Sequence, residues 1–104
     1  MKVGALVLAA GASRWFGSQK LLAPLAGRPV LQHVLDTVAA AGLDEVVVVL
    51  GDEAAAYERA IIWRTETRVV NPRPMDGLSA SLRVGLDAVA LHADAEATLV
   101  VLGD

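Results

Sequence analysis

At 104 residues, 55% of them hydrophobic, the chain suits a single domain with its own core. Nine basic against twelve acidic side chains give a formal charge of -3, and Lys and Arg do not cluster, which excludes the cationic surface that a nucleic-acid backbone requires. The absence of cysteine excludes disulfides, thiolate zinc sites and cysteine catalysis.

Met1-Lys2-Val3 opens an apolar stretch that stops at Gly11, too short to span a bilayer. A secretory leader would carry a longer apolar segment and would need cleavage at Ala9-Ala10-Gly11. The expectation is a chain with no membrane segment, located in the cytoplasm.

In chain order, Val3 to Ala10 reads as a first strand. Val30 to Ala41 follows as a helix, with Val30, Val34 and Val38 beside Leu31, Leu35 and Ala39 at a spacing of four, and Gly42 as its C-terminal cap. Val46 to Leu50 is apolar at every residue, as suits a strand covered on both faces. A second helix is expected over Glu53 to Ile62 with Asp52 as N-cap, then a short strand over Arg68 to Val70. A third helix begins near Leu78, its stripe continuing through Leu82, Leu86 and Val89, and the apolar run Thr98 to Leu102 is the fourth strand. Alternation of this kind predicts an α/β fold, a three-layer Rossmann-like open parallel sheet with helices on both faces. Asp104 follows the fourth strand directly, so the chain reads as truncated after it, and the face left open is an expected surface for self-association.

In an open parallel sheet, ligands sit outside the carboxyl ends of the strands. The segments there are Gly11 to Lys20, Gly51-Asp52, Asn71 to Ser81 and Gly103-Asp104. The first is the richest, with Gly11 and Gly17 for tight turns, hydroxyls at Ser13 and Ser18, and cations at Arg14 and Lys20, the chemistry of a polyphosphate cradle. It is neither a dinucleotide fingerprint nor a P-loop: no glycine lies between Gly11 and Gly17, and Gly17 is not followed by Lys-Ser or Lys-Thr. Composition alone reads the segment equally as a long connection with exposed charges.

Leu8-Ala9-Ala10-Gly11, then Ser13, Phe16, Gly17 and Lys20, followed by Leu21-Leu22-Ala23-Pro24-Leu25 and Gly27-Arg28-Pro29-Val30-Leu31, resembles the signature of the MobA-like NTP transferases. Within them it is most similar to the molybdenum cofactor cytidylyltransferases. The resemblance resumes at Val46 to Gly51, at Asn71-Pro72, at Gly77-Leu78-Ser79-Ala80-Ser81-Leu82-Arg83, at Gly85-Leu86 and at Leu99 to Asp104.

The resemblance implies that the loop from Ala9 to Gly17, including Ala10, Gly11, Ser13 and Arg14, wraps the nucleotide triphosphate, with Lys20 neutralising it. Gly77, Ser79 and Ser81 then face the base and ribose, and Asp104 ligates Mg2+. In that family alanine at the position of Ala10 goes with cytidine nucleotides and glycine with guanosine, so CTP is the expected donor. The implied reaction moves CMP onto a phosphorylated small molecule, a molybdopterin-type cofactor, and releases pyrophosphate. A sugar or alcohol phosphate is the alternative acceptor, and a non-catalytic nucleotide-binding module the alternative role.

Two departures stand out. Trp15 occupies the position where the family usually has arginine, with Arg14 beside it, and an indole does not donate to phosphate as a guanidinium does. The family also continues beyond the position of Asp104 with Gln-Pro and a further half that binds the acceptor.

Ser79 and Ser81 also suit the first turn of a helix, where hydroxyls satisfy free N–H groups, with Asp76 as cap. Asp52 reads as an N-cap and Asn71-Pro72 as a loop turn, so neither joins the expected site. His33, on the polar side of its helix, and His92, at a helix end, have no serine or carboxylate placed for a catalytic constellation. Trp63 reads as packing or an edge contact, and Arg28, Arg73 and Arg83 receive no role.

Overall fold

The structure, a computed structural model, describes residues 3–10, 20–51, 54–72, 77–92 and 97–102. Strand β1 (Val3–Ala9) pairs in parallel with β4 (Glu45–Leu50) on one side and with β6 (Ala97–Leu102) on the other. Strand β5 (Thr67–Val70) adds to the far edge of β4, giving the parallel order β5-β4-β1-β6. The apolar segment at the N-terminus is thus the central strand of the fold.

Because β1 is covered on both faces, every residue along it is apolar or glycine, and successive side chains feed two separate cores. Ala5, Val7 and Ala9 face helix α1 (Val30–Ala40), through Leu31, Leu35 and Val38, and helix α2 (Ala54–Ala60), through Tyr57, with Ile61 just beyond it. Leu6, Leu8 and Ala10 face helix α3 (Leu78–His92), through Ala88 and Val89 with Leu82 and Val84 beside them. Helices on both faces of a four-stranded parallel sheet make the three-layer α/β arrangement expected from the alternation. No described helix is long and apolar enough to cross a membrane.

Local chemistry explains most boundaries. Helix α1 ends where Gly42 takes a φ of +69°, and its N–H bonds the carbonyl of Ala39 at 3.1 Å, a Schellman-type ending. Helix α2 is shorter than the expected Glu53 to Ile62; Asp52, the expected N-cap, lies outside the described residues, as does Glu53. An element not anticipated is the hairpin of β2 (Pro24–Leu25) and β3 (Arg28–Pro29). Its two-residue turn, Ala26-Gly27, has φ of +52° and +83°, positive at both positions as a type I′ turn requires. Strands of two residues carry no periodic signal, which is why the sequence does not reveal them.

The apolar stripes are corrected by the structure. In α1 the buried positions are Leu31, Gln32, Leu35 and Val38, while Ala39 is exposed. In α3 Leu86 turns outward, 42% exposed, and Gly85 takes the place against the sheet. A Cβ on Gly85 would stand 2.9 Å from both Leu6 Cδ2 and Val49 Cγ2, so the absent side chain is what lets α3 approach the sheet so closely. At the opposite edge, Leu99 and Val100 of β6 are about half exposed.

Candidate functional site

The carboxyl ends of the strands converge along one edge. Ala9 is level with Leu50, and Leu50 with Val70; Leu8 is level with Leu102. Ala9 and Ala10, at the mouth of the loop after β1, are buried at the end of the central strand, Ala10 on the α3 side.

Beyond β4, Gly51 is buried and its carbonyl accepts the N–H of Ala54 at 3.1 Å, which starts α2 directly at the sheet edge. Beyond β5, the N–H of Asn71 donates to the carbonyl of Leu50 at 2.7 Å and extends the β4–β5 pairing by one residue. The side chain of Asn71, only 3% exposed as a residue, donates from Nδ2 to Ser81 Oγ at 2.9 Å. Ser81 is itself buried, and its N–H reaches the carbonyl of Gly77 at 3.4 Å. Gly77, at a φ of +100°, and Ser79 are exposed at the start of α3. The fold therefore brings Gly77, Ser79 and Ser81 to the edge on which Ala9 and Ala10 end.

Asn71, which its sequence context places in a loop turn, is instead buried and bonded across the fold. An Asn-Pro pair after a strand has the chemistry of a turn, and only burial distinguishes a side chain directed into the fold from one in solvent. The signal available was the serine ten positions on, within the first turns of the next helix.

Lys20 opens a 3-10 turn that runs to Leu22, and Leu21 packs into the core beneath α1. The Lys20 side chain, together with Gly11, Ser13, Arg14, Trp15, Gly17, Ser18 and Asp104, lies outside the described residues, as do Asp76 and Arg73. Among the described residues no group of three or more His, Asp or Glu stands together as a metal site. Asp104, the expected Mg2+ ligand, is outside those residues, and a single carboxylate there would suit an ion that keeps several waters and takes its other oxygens from substrate phosphates.

Several described charged and aromatic groups have structural partners instead. Arg28 and Arg64 both pair with Asp36, Arg64 Nη1 at 2.9 Å from Oδ1. The Gln32 amide, donating to Asp36 at 3.2 Å, and then the Arg64 guanidinium hold the Asp36 carboxyl below the usual carboxylate range. His33 Nε2 donates to the carbonyl of Leu25, tying α1 to the hairpin. Trp63 packs against the core, donates from Nε1 to the Glu58 carbonyl at 3.3 Å, and carries the Arg68 guanidinium 4.7 Å above its ring.

Residues 5–104 match the MobA-like NTP transferase domain. The chain belongs to the MobA-like NTP transferase family. Among solved structures, Rv0371c of Mycobacterium tuberculosis superposes with a TM-score of 0.89 at 36% identity, over 100% of this chain and 53% of that one. A nucleotidyl transferase from Methanothermobacter thermautotroptrophicus gives a TM-score of 0.79 at 33% identity, over 99% of this chain and 50% of its own. The bifunctional protein GlmU of Cupriavidus necator is 36% identical over 101 residues, which is 95% of this chain and 21% of GlmU. The chain thus spans about half of these solved structures and about a fifth of the GlmU relative.

Proposed function

We propose that this chain carries the nucleotide-binding half of a nucleotidyltransferase that takes CMP from CTP and places it on a phosphorylated acceptor, a molybdopterin-type cofactor. The observation that carries the reading is the family match over residues 5–104, joined to a sheet edge where Ala9-Ala10 and the start of α3 meet. Ala10 favours the cytidine base. The GlmU relative supports the transferase core without selecting the pterin, and a sugar or alcohol phosphate is the second reading of the acceptor.

The chemistry asked of the chain is positioning and charge neutralisation. A terminal phosphate oxygen of the acceptor attacks the α-phosphorus, forming a P–O bond as the bond to the bridging oxygen breaks and pyrophosphate leaves. No protein nucleophile takes part. Lys20 and Arg14 serve the transfer by neutralising the triphosphate, which the backbone of Gly11, Ser13 and Gly17 wraps; Gly77, Ser79 and Ser81 border the base and ribose. Since the chain is net acidic and both substrates are anions, those two cations supply the local positive field. Asp104 is the proposed Mg2+ ligand, and a manganese complex of Rv0371c supports a divalent ion in this fold. Such an ion, with further ligands, would neutralise charge on the phosphate oxygens.

An amide NMR titration with CTP and with GTP, each with and without Mg2+, tests the reading. CTP is expected to shift Gly11, Gly17 and Gly77 while GTP leaves them in place. A well-dispersed spectrum that ignores both nucleotides would refute it.

A further inference from the structure

Asn71 and Ser81 close the loop that leads into α3, and both of their side chains are held. The backbone of Asn71 is fixed in the sheet by its N–H to Leu50, and its buried amide reaches Ser81 Oγ across ten residues of sequence. On the other side, Ser81 belongs to the face of α3 that Gly85, one turn on, seats against Leu6 and Val49. The hydrogen bond therefore links the end of β5 to the first turns of α3. Between them Gly77 has a φ of +100°, a conformation that other residues adopt only with strain.

A buried polar pair of this kind adds little net stability over two apolar groups of the same shape, because both partners must leave water. What it supplies is direction, since the bond is favourable only within a limited range of distance and angle. Its place at the carboxyl edge of the sheet is where direction matters for a ligand.

We infer that Asn71 is a positioning residue for nucleotide recognition. Through Ser81 Oγ it sets the angle at which Gly77 and the exposed Ser79 meet the base and ribose. Phosphate binding rests on the separate loop after β1. The inference rests on the nucleotide reading proposed above, and it requires base and ribose recognition to depend on Asn71 while polyphosphate recognition does not.

The test is an amide NMR titration of the 104-residue chain with Mg-CTP and with Mg-tripolyphosphate, for the wild type, Asn71→Ala, Ser81→Ala and the double variant. Each single variant is expected to weaken CTP about tenfold, the double variant no further, and tripolyphosphate binding to stay within about twofold. Equal losses for both ligands, additive losses in the double variant, or unchanged CTP affinity would overturn the inference. Should Asn71→Ala fail to fold, Asn71→Ser takes its place, because it keeps a small polar side chain while withdrawing the amide that reaches Ser81 Oγ, and the same split between CTP and tripolyphosphate is expected. A wild-type chain that binds tripolyphosphate but not CTP, or neither, overturns the nucleotide reading itself, and the role of Asn71 falls with it.

Discussion

The side-chain amide of Gln32 pairs with both backbone groups of Ile62, thirty residues away: Oε1 accepts the Ile62 N–H at 2.8 Å and Nε2 donates to the Ile62 carbonyl at 3.3 Å. Gln32 is 5% exposed, on the core-facing side of α1, and through this pairing the segment after α2 is fastened to α1.

Replacing that amide with an apolar side chain leaves a backbone donor and acceptor without their partner. Gln32→Leu is expected to lower the unfolding free energy by about 1–3 kcal/mol, measured from the midpoint of a urea titration at unchanged slope. A variant as stable as the parent would show that water replaces the amide at no cost.

Asp36 accepts from Gln32 and pairs with Arg28 and Arg64, and its pKa is lowered in the folded chain. A carboxyl with a depressed folded value contributes stability that is fully present above its unfolded pKa, about 3.9, and is lost as pH falls through the lower folded value. Asp36→Asn should therefore flatten the acid limb of stability below about pH 5 and leave its slope near neutrality unchanged. Thermal midpoints collected from about pH 2 to about pH 7 for both proteins give the comparison; parallel acid limbs would count against the assignment.

Gly85 and Leu86 offer a contrast between neighbours. A methyl at Gly85 meets Leu6 and Val49, both fully buried and without room to swing, so Gly85→Ala is expected to cost about 1–3 kcal/mol even after the gain of about 1 kcal/mol in helix propensity. Leu86→Ala, on the outward side, should stay within about 1 kcal/mol of the parent. Urea midpoints that ranked the two the other way would restore the stripe read from the sequence.

Lys20 is the proposed counter-charge to the triphosphate. Lys20→Ala is expected to weaken both Mg-CTP and Mg-tripolyphosphate about ten- to hundredfold, with a shallower dependence on salt than the parent. Calorimetric titrations at two ionic strengths measure both quantities. Loss of CTP binding with tripolyphosphate retained would move Lys20 from the phosphates to the nucleoside.

The alternation of the four parallel strands with three helices and the family were legible in the sequence, while the β2–β3 hairpin was not. Val46 to Leu50 is apolar at every position because both of its faces are covered, and α1 ends at a glycine because its backbone turns left-handed there. These features are local, written in runs and spacings a few residues long, as is the motif from Leu8 to Leu31. Tertiary structure alone decided which side of α3 meets the sheet, that a glutamine lies inside α1, and that Asn71 reaches Ser81 rather than solvent. Each depends on groups far apart along the chain: Gly85 against Leu6, Gln32 against Ile62, Asn71 against Ser81. Hydropathy places a polar side chain outside by default, and only a partner brought from elsewhere by the fold makes its burial favourable.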